Sequence, residues 1–309
     1  MDFKQIAYFV QVAELGSFTR AAAVLGVAQP ALSRQVRALE VELRQALFER
    51  NGRGVTLTTA GSLLLAHGRG LLQQLERVRQ DLADHRGAAA GVLSIGLPPS
   101  VSRLLAAPLV GAFKQRFPRA RLGIVEGLST HTLEWLAQGR LDCAVVYNAT
   151  PSPAIHLQAL GQEPLFLITA RPGRAGAKLL AAAINLRQLA TRELVIPSRP
   201  HAIRMRLETV LAEVGLRPRI GLEIESVPAI LDLVHSHGLA ALLSMNAVHA
   251  SGREADFSAH PVRLGHGRRL STSLWLATSA QRPGGPLLEQ ASQLLQELMR
   301  SLVQPAAAP

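Results

Sequence analysis

Gln29, Ser33, Arg34 and Arg37 are spaced so that a helix would gather them on or beside one face near its N-terminal end. Their chemistry complements base-pair edges. A glutamine amide pairs bidentately with adenine, serine meets several bases, and arginine meets guanine or a phosphate. From Ser17 to Arg37 there are three arginines and no acidic side chain. A solvated helix face has the same composition, so the pattern needs support from its surroundings. Residues 48–58 supply some, because they read as a short two-stranded hairpin with Arg53 held between Gly52 and Gly54. An arginine at such a tip enters a minor groove or ends as a solvated turn, and the residues alone leave both open.

A second set lies further along: Pro98-Pro99-Ser100, Gly127-Leu128-Ser129-Thr130, Ser198 through His201, and Glu225-Ser226. Each follows an apolar strand-like run and precedes a helical one. Ligands of open α/β sheets gather there, beyond the carboxyl ends of strands. Hydroxyls and exposed N–H groups at helix starts suit a carboxylate or similar anion. Each Ser or Thr is equally readable as a helix cap, although recurrence at four places favours a shared cleft. Arg199 and Arg204 are candidates for holding an anion or are simply solvated, and Glu225 would repel an acid or select an amine.

Several elements must position these side chains. Phe3, Ile6, Val10 and Ala13 follow helical spacing up to Leu15-Gly16. Ser17 precedes a second stripe, Phe18, Ala21, Ala22 and Leu25, which Gly26 closes. Pro30 fits the first turn of a third helix that buries Leu32, Val36, Leu39 and Leu43. Three short helices with tight turns make a helix-turn-helix core. Thr58 or Thr59 can cap a helix running to about Arg86, roughly 40 Å at 1.5 Å per residue. Along it Gly61, Leu64, Gly68, Leu71, Leu75, Val78 and Leu82 alternate at three and four residues, a coiled-coil seam best covered by a partner subunit. Gly87 to Gly91 is a boundary, and from Val92 short apolar strands alternate with helices near 101–117, 130–138, 202–214, 227–237 and 286–303. That alternation predicts open α/β sheets with largely parallel strands.

The run FVQVAELGSFTRAAAVLGVAQPALSRQVRALEVELRQALFERNGRGVTLTTAG closely resembles the N-terminal domain of LysR-type transcriptional regulators. Five family elements stand in order, at Ala21 to Leu25, Gln29 to Val36, Leu39 to Leu43, Leu47 to Arg50 and Leu57 to Gly61. The resemblance implies that Gln29, Pro30, Ser33 and Arg34 meet bases and phosphate, with Phe18 and Arg37 in the same DNA-binding segment and Arg53 serving the wing. It also implies that Ser100, Ser129, Ser198 and His201 contact an effector between two lobes, and Ser226 joins them as a candidate by its position beyond a strand end. IGLPPSVSRLLAAPLV and FPRARLGIVEGLSTHTLEWLAQGRLDCAVVYN resemble the nitrogen-assimilation-control branch of that family.

The expected architecture is a winged helix-turn-helix (α with a small β wing) over 1–58, a linker helix over 59–90, and an α/β two-lobed, periplasmic-binding-protein-like sensor over 91–309. Lobe I takes about 92–161 with 268–303, and lobe II about 162–267. The expected partners are double-stranded DNA, a small and anionic effector, RNA polymerase, and further copies in a homodimer or homotetramer.

Net charge is +11, but residues 1–90 hold 11 basic against 8 acidic side chains, so bulk charge does not locate a DNA site. One cysteine, Cys143, inside an apolar run, rules out a disulfide framework and offers no thiolate cluster for zinc. The opening Met-Asp-Phe-Lys-Gln lacks a basic region feeding an apolar core, and no apolar run suits a membrane span, so a cytoplasmic protein is expected. His235 and His237 fall on different sides of a helix, without a carboxylate or thiolate motif to complete a metal site. No Gly-x-Ser-x-Gly or phosphate-binding loop is present, so neither catalysis nor a cofactor is expected. A solute-binding protein would explain the sensor half but not the first 58 residues. A regulator controlled by its own abundance, without an effector, is the remaining alternative.

Overall fold

The computed structural model describes residues 1–51, 54–84, 91–171, 179–265, 267–280 and 284–303. The chain divides into two compact units, Met1–Gly91 with Ala137–Arg140, and Val92–Leu136 with Leu141–Pro309.

The first unit opens with α1 (Phe3–Leu15), α2 (Phe18–Leu25) and α3 (Gln29–Leu43). Asp2 and Gln5 form a reciprocal capping box on α1, and the Ser17 hydroxyl accepts from the Arg20 N–H on α2. Gly16 and Gly26 end these helices in the left-handed conformation. Phe9, Val12, Ala21, Leu32, Val36 and Leu39 are fully buried between the helices. Phe3, expected in that stripe, is exposed, whereas Phe9 fills the core. The hairpin follows as β1 (Phe48–Asn51) and β2 (Gly54–Leu57), antiparallel, with Asn51 opposite Gly54. Phe48 plugs it to the helices, its ring 5.2 Å from Phe9 and 5.7 Å from Phe18. The Glu40 carboxylate accepts from the Leu47 and Phe48 N–H groups and so fixes the turn after α3.

The long helix is α4 (Thr59–Asp84), and Thr58 is its cap, accepting from the Gly61 N–H at 2.9 Å. A Cβ on Gly61 would stand 2.1 Å from the Leu47 carbonyl oxygen, so only glycine fits there. Gly68 faces Ile6 and Val10 of α1, and Leu64, Leu65 and Leu72 pack on the same cluster. The early part of the expected seam is therefore covered by its own chain. A heptad count cannot distinguish an intrachain from an interchain cover. Leu71 and Val78 further along remain exposed, and the expected end near Arg86 lies outside the described residues.

The second unit is a mixed α/β structure whose strands run in the order β4-β3-β5-β12-β6-β10-β8-β9. β3 (Gly91–Leu97), β4 (Ala120–Glu126) and β5 (Cys143–Tyr147) lead to β6 (Ile155–Ala170), a strand of 16 residues. β7 (Ile184–Asn185), β8 (Glu193–Ile196), β9 (Arg219–Glu223), β10 (Ala240–Ser244), β11 (Phe257–Arg263) and β12 (Ser271–Ser279) follow. β6 pairs with β12 up to Pro164 and with β10 and β11 from Leu165 onward, and so serves both lobes. The β3–β5 and β8–β9 pairings are parallel, but every pairing made by β6 is antiparallel, so the sheets are mixed, not largely parallel.

Alternation along the strands builds the core of the second lobe. Leu165 and Leu167 face one cluster with Leu207, Val210 and Leu211 of α8 (Ala202–Ala212). Phe166 and Ile168 face the other, with Ile230, Leu231 and Val234 of α9 (Val227–His237). In the first lobe, α11 (Pro286–Val303) packs on α5 (Pro99–Arg116) and β6. Three short pieces complete the unit: α6 (Ser129–Ala137), α7 (Leu186–Ala190) and α10 (Met245–His249).

Candidate functional site

No side chain caps α3. Ala28 holds the N-cap position and Pro30 sits in the first turn, so the first-turn N–H groups have no capping side chain. Leu32, Val36 and Leu39 are buried on the opposite face, which leaves Gln29, Pro30, Arg34 and Arg37 exposed and Ser33 half-buried. That end combines an uncapped helix N-terminus with amide, hydroxyl and guanidinium donors, a composition suited to phosphate and base edges. Phe18 differs from the others: it is half-buried and packs edge-on against Phe48, so its ring supports the helices from inside. Arg53 lies outside the described residues.

In the second unit a cavity of about 500 Å³ opens where the two halves of β6 meet, a volume typical of small-molecule sites. The starts of α5, α6, α8 and α9 reach its wall through Ser100, Ser129, His201 and Ser226. Ser100 lies 3.3 Å from the Tyr147 hydroxyl, and the Ser129 hydroxyl accepts from the Tyr147 N–H at 2.9 Å. Ser226 caps α9, and His201 caps α8 by accepting from the Ile203 N–H at 3.2 Å. Burial lowers the His201 pKa, against a weaker opposing pull from Glu225, so its ring is neutral and cannot serve as a cationic anion-holder.

Ser198 is not on the wall; its hydroxyl donates to Glu225. Arg199 and Arg204, considered above for an anion, both pair with Glu208, and Arg204 also meets Glu223 at 3.0 Å. Their charges are matched within the protein.

Sequence reasoning missed the middle of the cavity. Glu163 is buried at the end of the first half of β6; its carboxylate accepts from the Tyr147 hydroxyl at 2.7 Å and the Asn246 amide at 2.8 Å. Burial first, and the Glu163 charge second, push the Tyr147 pKa well up, so the phenol stays protonated and donates. The signal available was an acid two residues before the apolar run 165–168. On the same wall Arg253 pairs with Asp232 at 2.5 Å and with Asp256 at 2.8 Å. Among the described residues, no group of three or more His, Cys, Asp or Glu is arranged to hold a metal.

A winged helix-turn-helix joined to a two-lobed α/β unit with a central cavity defines a DNA-binding transcription regulator with a sensor domain. The chain belongs to the LysR family: the model for bacterial regulatory helix-turn-helix proteins of that family matches residues 3–62, and the LysR substrate binding domain matches residues 86–300. It is 32% identical to the nitrogen assimilation regulatory protein nac of Escherichia coli, over 98% of this chain and 95% of that one. This similarity supports the branch resemblance of the cavity-bordering segments. Its fold is similar to that of full-length CbnR solved with its target DNA, with a TM-score of 0.71, 24% identity and coverage of 96% and 100% of the two chains. It is also similar to a full-length OxyR variant from Pseudomonas aeruginosa, with a TM-score of 0.70 and 22% identity over 100% of this chain and 99% of that one. No described helix is long and apolar enough to cross a membrane.

Proposed function

We propose that this regulator reads double-stranded DNA with the N-terminal end of α3 and that a small molecule in the sensor cavity alters that binding. Gln29, Ser33, Arg34 and Arg37 are assigned to bases and phosphate, Pro30 to setting the helix start, Phe18 to bracing it, and Arg53 to the wing. Ser100, Ser129, His201 and Ser226 are assigned to effector contact, and Ser198 to holding Glu225. The observation that carries the reading is the convergence of four helix starts from both lobes on one cavity. A ligand touching both lobes has different affinities for different lobe arrangements, and only such a difference shifts an equilibrium.

The working division of the chain is 1–58 for DNA, 59–90 for the linker and 91–309 for the sensor, with lobe I at about 92–161 and 268–303 and lobe II at about 162–267. Exposed Leu71 and Val78 support a homodimer joined along the later part of α4, and pairing dimers gives the tetramer. Two α3 helices in a dimer would read two half-sites. RNA polymerase at the promoter is the proposed protein partner, the cytoplasm the proposed location, and no catalysis is proposed. An anion is the effector class that the helix starts alone would favour.

Genomic footprinting in cells, followed by binding of the full-length protein to the recovered and scrambled duplexes, tests the DNA half. Repeating the titrations with a metabolite panel tests the effector half. Equal affinity for both duplexes sinks the first; unaltered occupancy with every metabolite sinks the second and leaves a regulator controlled by its abundance.

A further inference from the structure

We infer that the cavity takes a small organic cation, an ammonium, amidinium or guanidinium on an apolar body, anchored by Glu163; this rests on the cavity being the effector site. Glu163 is 6% exposed and lies on the cavity wall. Both of its hydrogen-bond donors, the Tyr147 phenol and the Asn246 amide, are neutral. Among the described residues no lysine, arginine or histidine forms an ion pair with it. Each carboxylate oxygen can accept a further hydrogen bond. Its two neutral donors leave the carboxylate without a counter-ion, so a positive group arriving from the cavity would form a charge-assisted pair there.

The rest of the wall points the same way. Glu126, Glu225 and Asp232 add three carboxylates, against Arg103 and Arg253. Arg253 and Asp232 pair with each other, and Arg253 also meets Asp256, so Glu126, Glu225 and Arg103, all three exposed, are left beside buried Glu163 and still give the wall an acidic balance. An anion would meet an excess of like charge, and neutral His201 would not offset it. Leu128, Ile203, Val227 and Leu231 offer apolar surface to an alkyl or aryl body. The helix starts favour an anion, but two of them already have their first N–H groups capped by His201 and Ser226.

Calorimetric titration of the full-length protein with four shape-matched probes, butylammonium, butylguanidinium, butyrate and butyramide, tests this. The two cations should bind at least about tenfold more tightly than the other two, the gap expected for hydrogen bonds to a charged group. Glu163→Gln should erase the difference. The comparison of probes on the unaltered protein needs no variant, so it stands if Glu163→Gln fails to fold. Butyrate or butyramide binding as tightly as the cations, or cation affinity unchanged in a folded Glu163→Gln protein, overturns the inference. If that binding is then blocked by Leu128→Trp on the cavity wall, the cavity remains the effector site and only the charge preference falls. No binding by any probe overturns both.

Discussion

The Tyr147 hydroxyl at the end of β5 donates to the Glu163 carboxylate in β6 at 2.7 Å. Ser100 on α5 lies 3.3 Å from the same hydroxyl, and Asn246 on α10 donates to the other carboxylate oxygen. Four polar side chains therefore form a chain through the cavity wall, from the first lobe to the second. Tyr147→Phe should leave one Glu163 oxygen without its donor. Denaturant unfolding should then show a loss of about 1–3 kcal/mol, the cost of a buried acceptor left short. An unchanged midpoint would mean that water replaces the hydroxyl freely.

Gln29→Ala and Ser33→Ala should weaken binding to a recovered genomic site by about 1–3 kcal/mol each, with a smaller effect on scrambled duplex. Arg34→Ala should weaken both alike if its partner is a phosphate. Titrations on both duplexes at one salt concentration separate the two roles. Equal losses on the two duplexes for Gln29→Ala would show that it does not read a base.

Two glycines in helices should respond with opposite signs. A Cβ on Gly61 meets the Leu47 carbonyl, so Gly61→Ala should destabilise by about 1–3 kcal/mol through forced backbone movement. Gly111 in α5 has nothing within 4 Å of its absent Cβ, so Gly111→Ala should stabilise by roughly 0.4–1 kcal/mol. Unfolding midpoints of the two variants check both signs.

Leu71→Glu with Val78→Glu puts four like charges into the proposed pairing of the exposed α4 stripes, two from each subunit. Sedimentation should show dissociation while far-ultraviolet dichroism stays native. A variant that still sediments as the unaltered oligomer would remove this stripe from the interface.

The lowered His201 pKa makes stability depend on pH. Above its ordinary value of 6.5 the ring is neutral both folded and unfolded. As pH falls below that value the unfolded chain takes up the proton first, so stability is lost until the folded-state pKa is passed. His201→Asn keeps a capping side chain and removes the titration. Its unfolding free energy should fall less steeply as pH drops below 6.5; a slope identical to the unaltered protein would show that His201 does not carry the effect.

The helices over 227–237 and 286–303 were legible to the residue, since Ser226 and Pro228 mark one start and a strong apolar stripe marks the other helix. The first half of β6 was not. Its residues 155–164 mix Gln, Gly, Glu and Pro on a surface only partly covered, so no clean period of two appears. β11 does alternate, with Phe257 and Ala259 buried and Ser258 and His260 half-buried, but it holds only two apolar side chains before Pro261, a residue that argues against a paired strand. At the cavity, the hydroxyls and His201 stood out because they fall where strand patterns give way to helical ones. Tyr147, Glu163 and Asn246 come from two strands and a five-residue helix, with Glu163 and Asn246 83 residues apart, and no local pattern links them. Intrachain cover of Gly61 and Gly68 was invisible for a related reason, because a seam looks the same whichever chain fills it.

Pro164 stands where β6 exchanges β12 for β10 and β11, and it brings no N–H to the ladder. Beside it the second crossing segment is stitched to the first, with the Leu165 N–H donating to the Leu270 carbonyl at 2.8 Å. Two crossing segments bonded side by side there should resist sliding and separation more than twisting. The lobes are thus mounted like two vanes on one short spindle. Glu163 is the residue next to that spindle, so a push there acts with little leverage in distance but is magnified at the outer rims, where β4 and β9 lie farthest along the strand order.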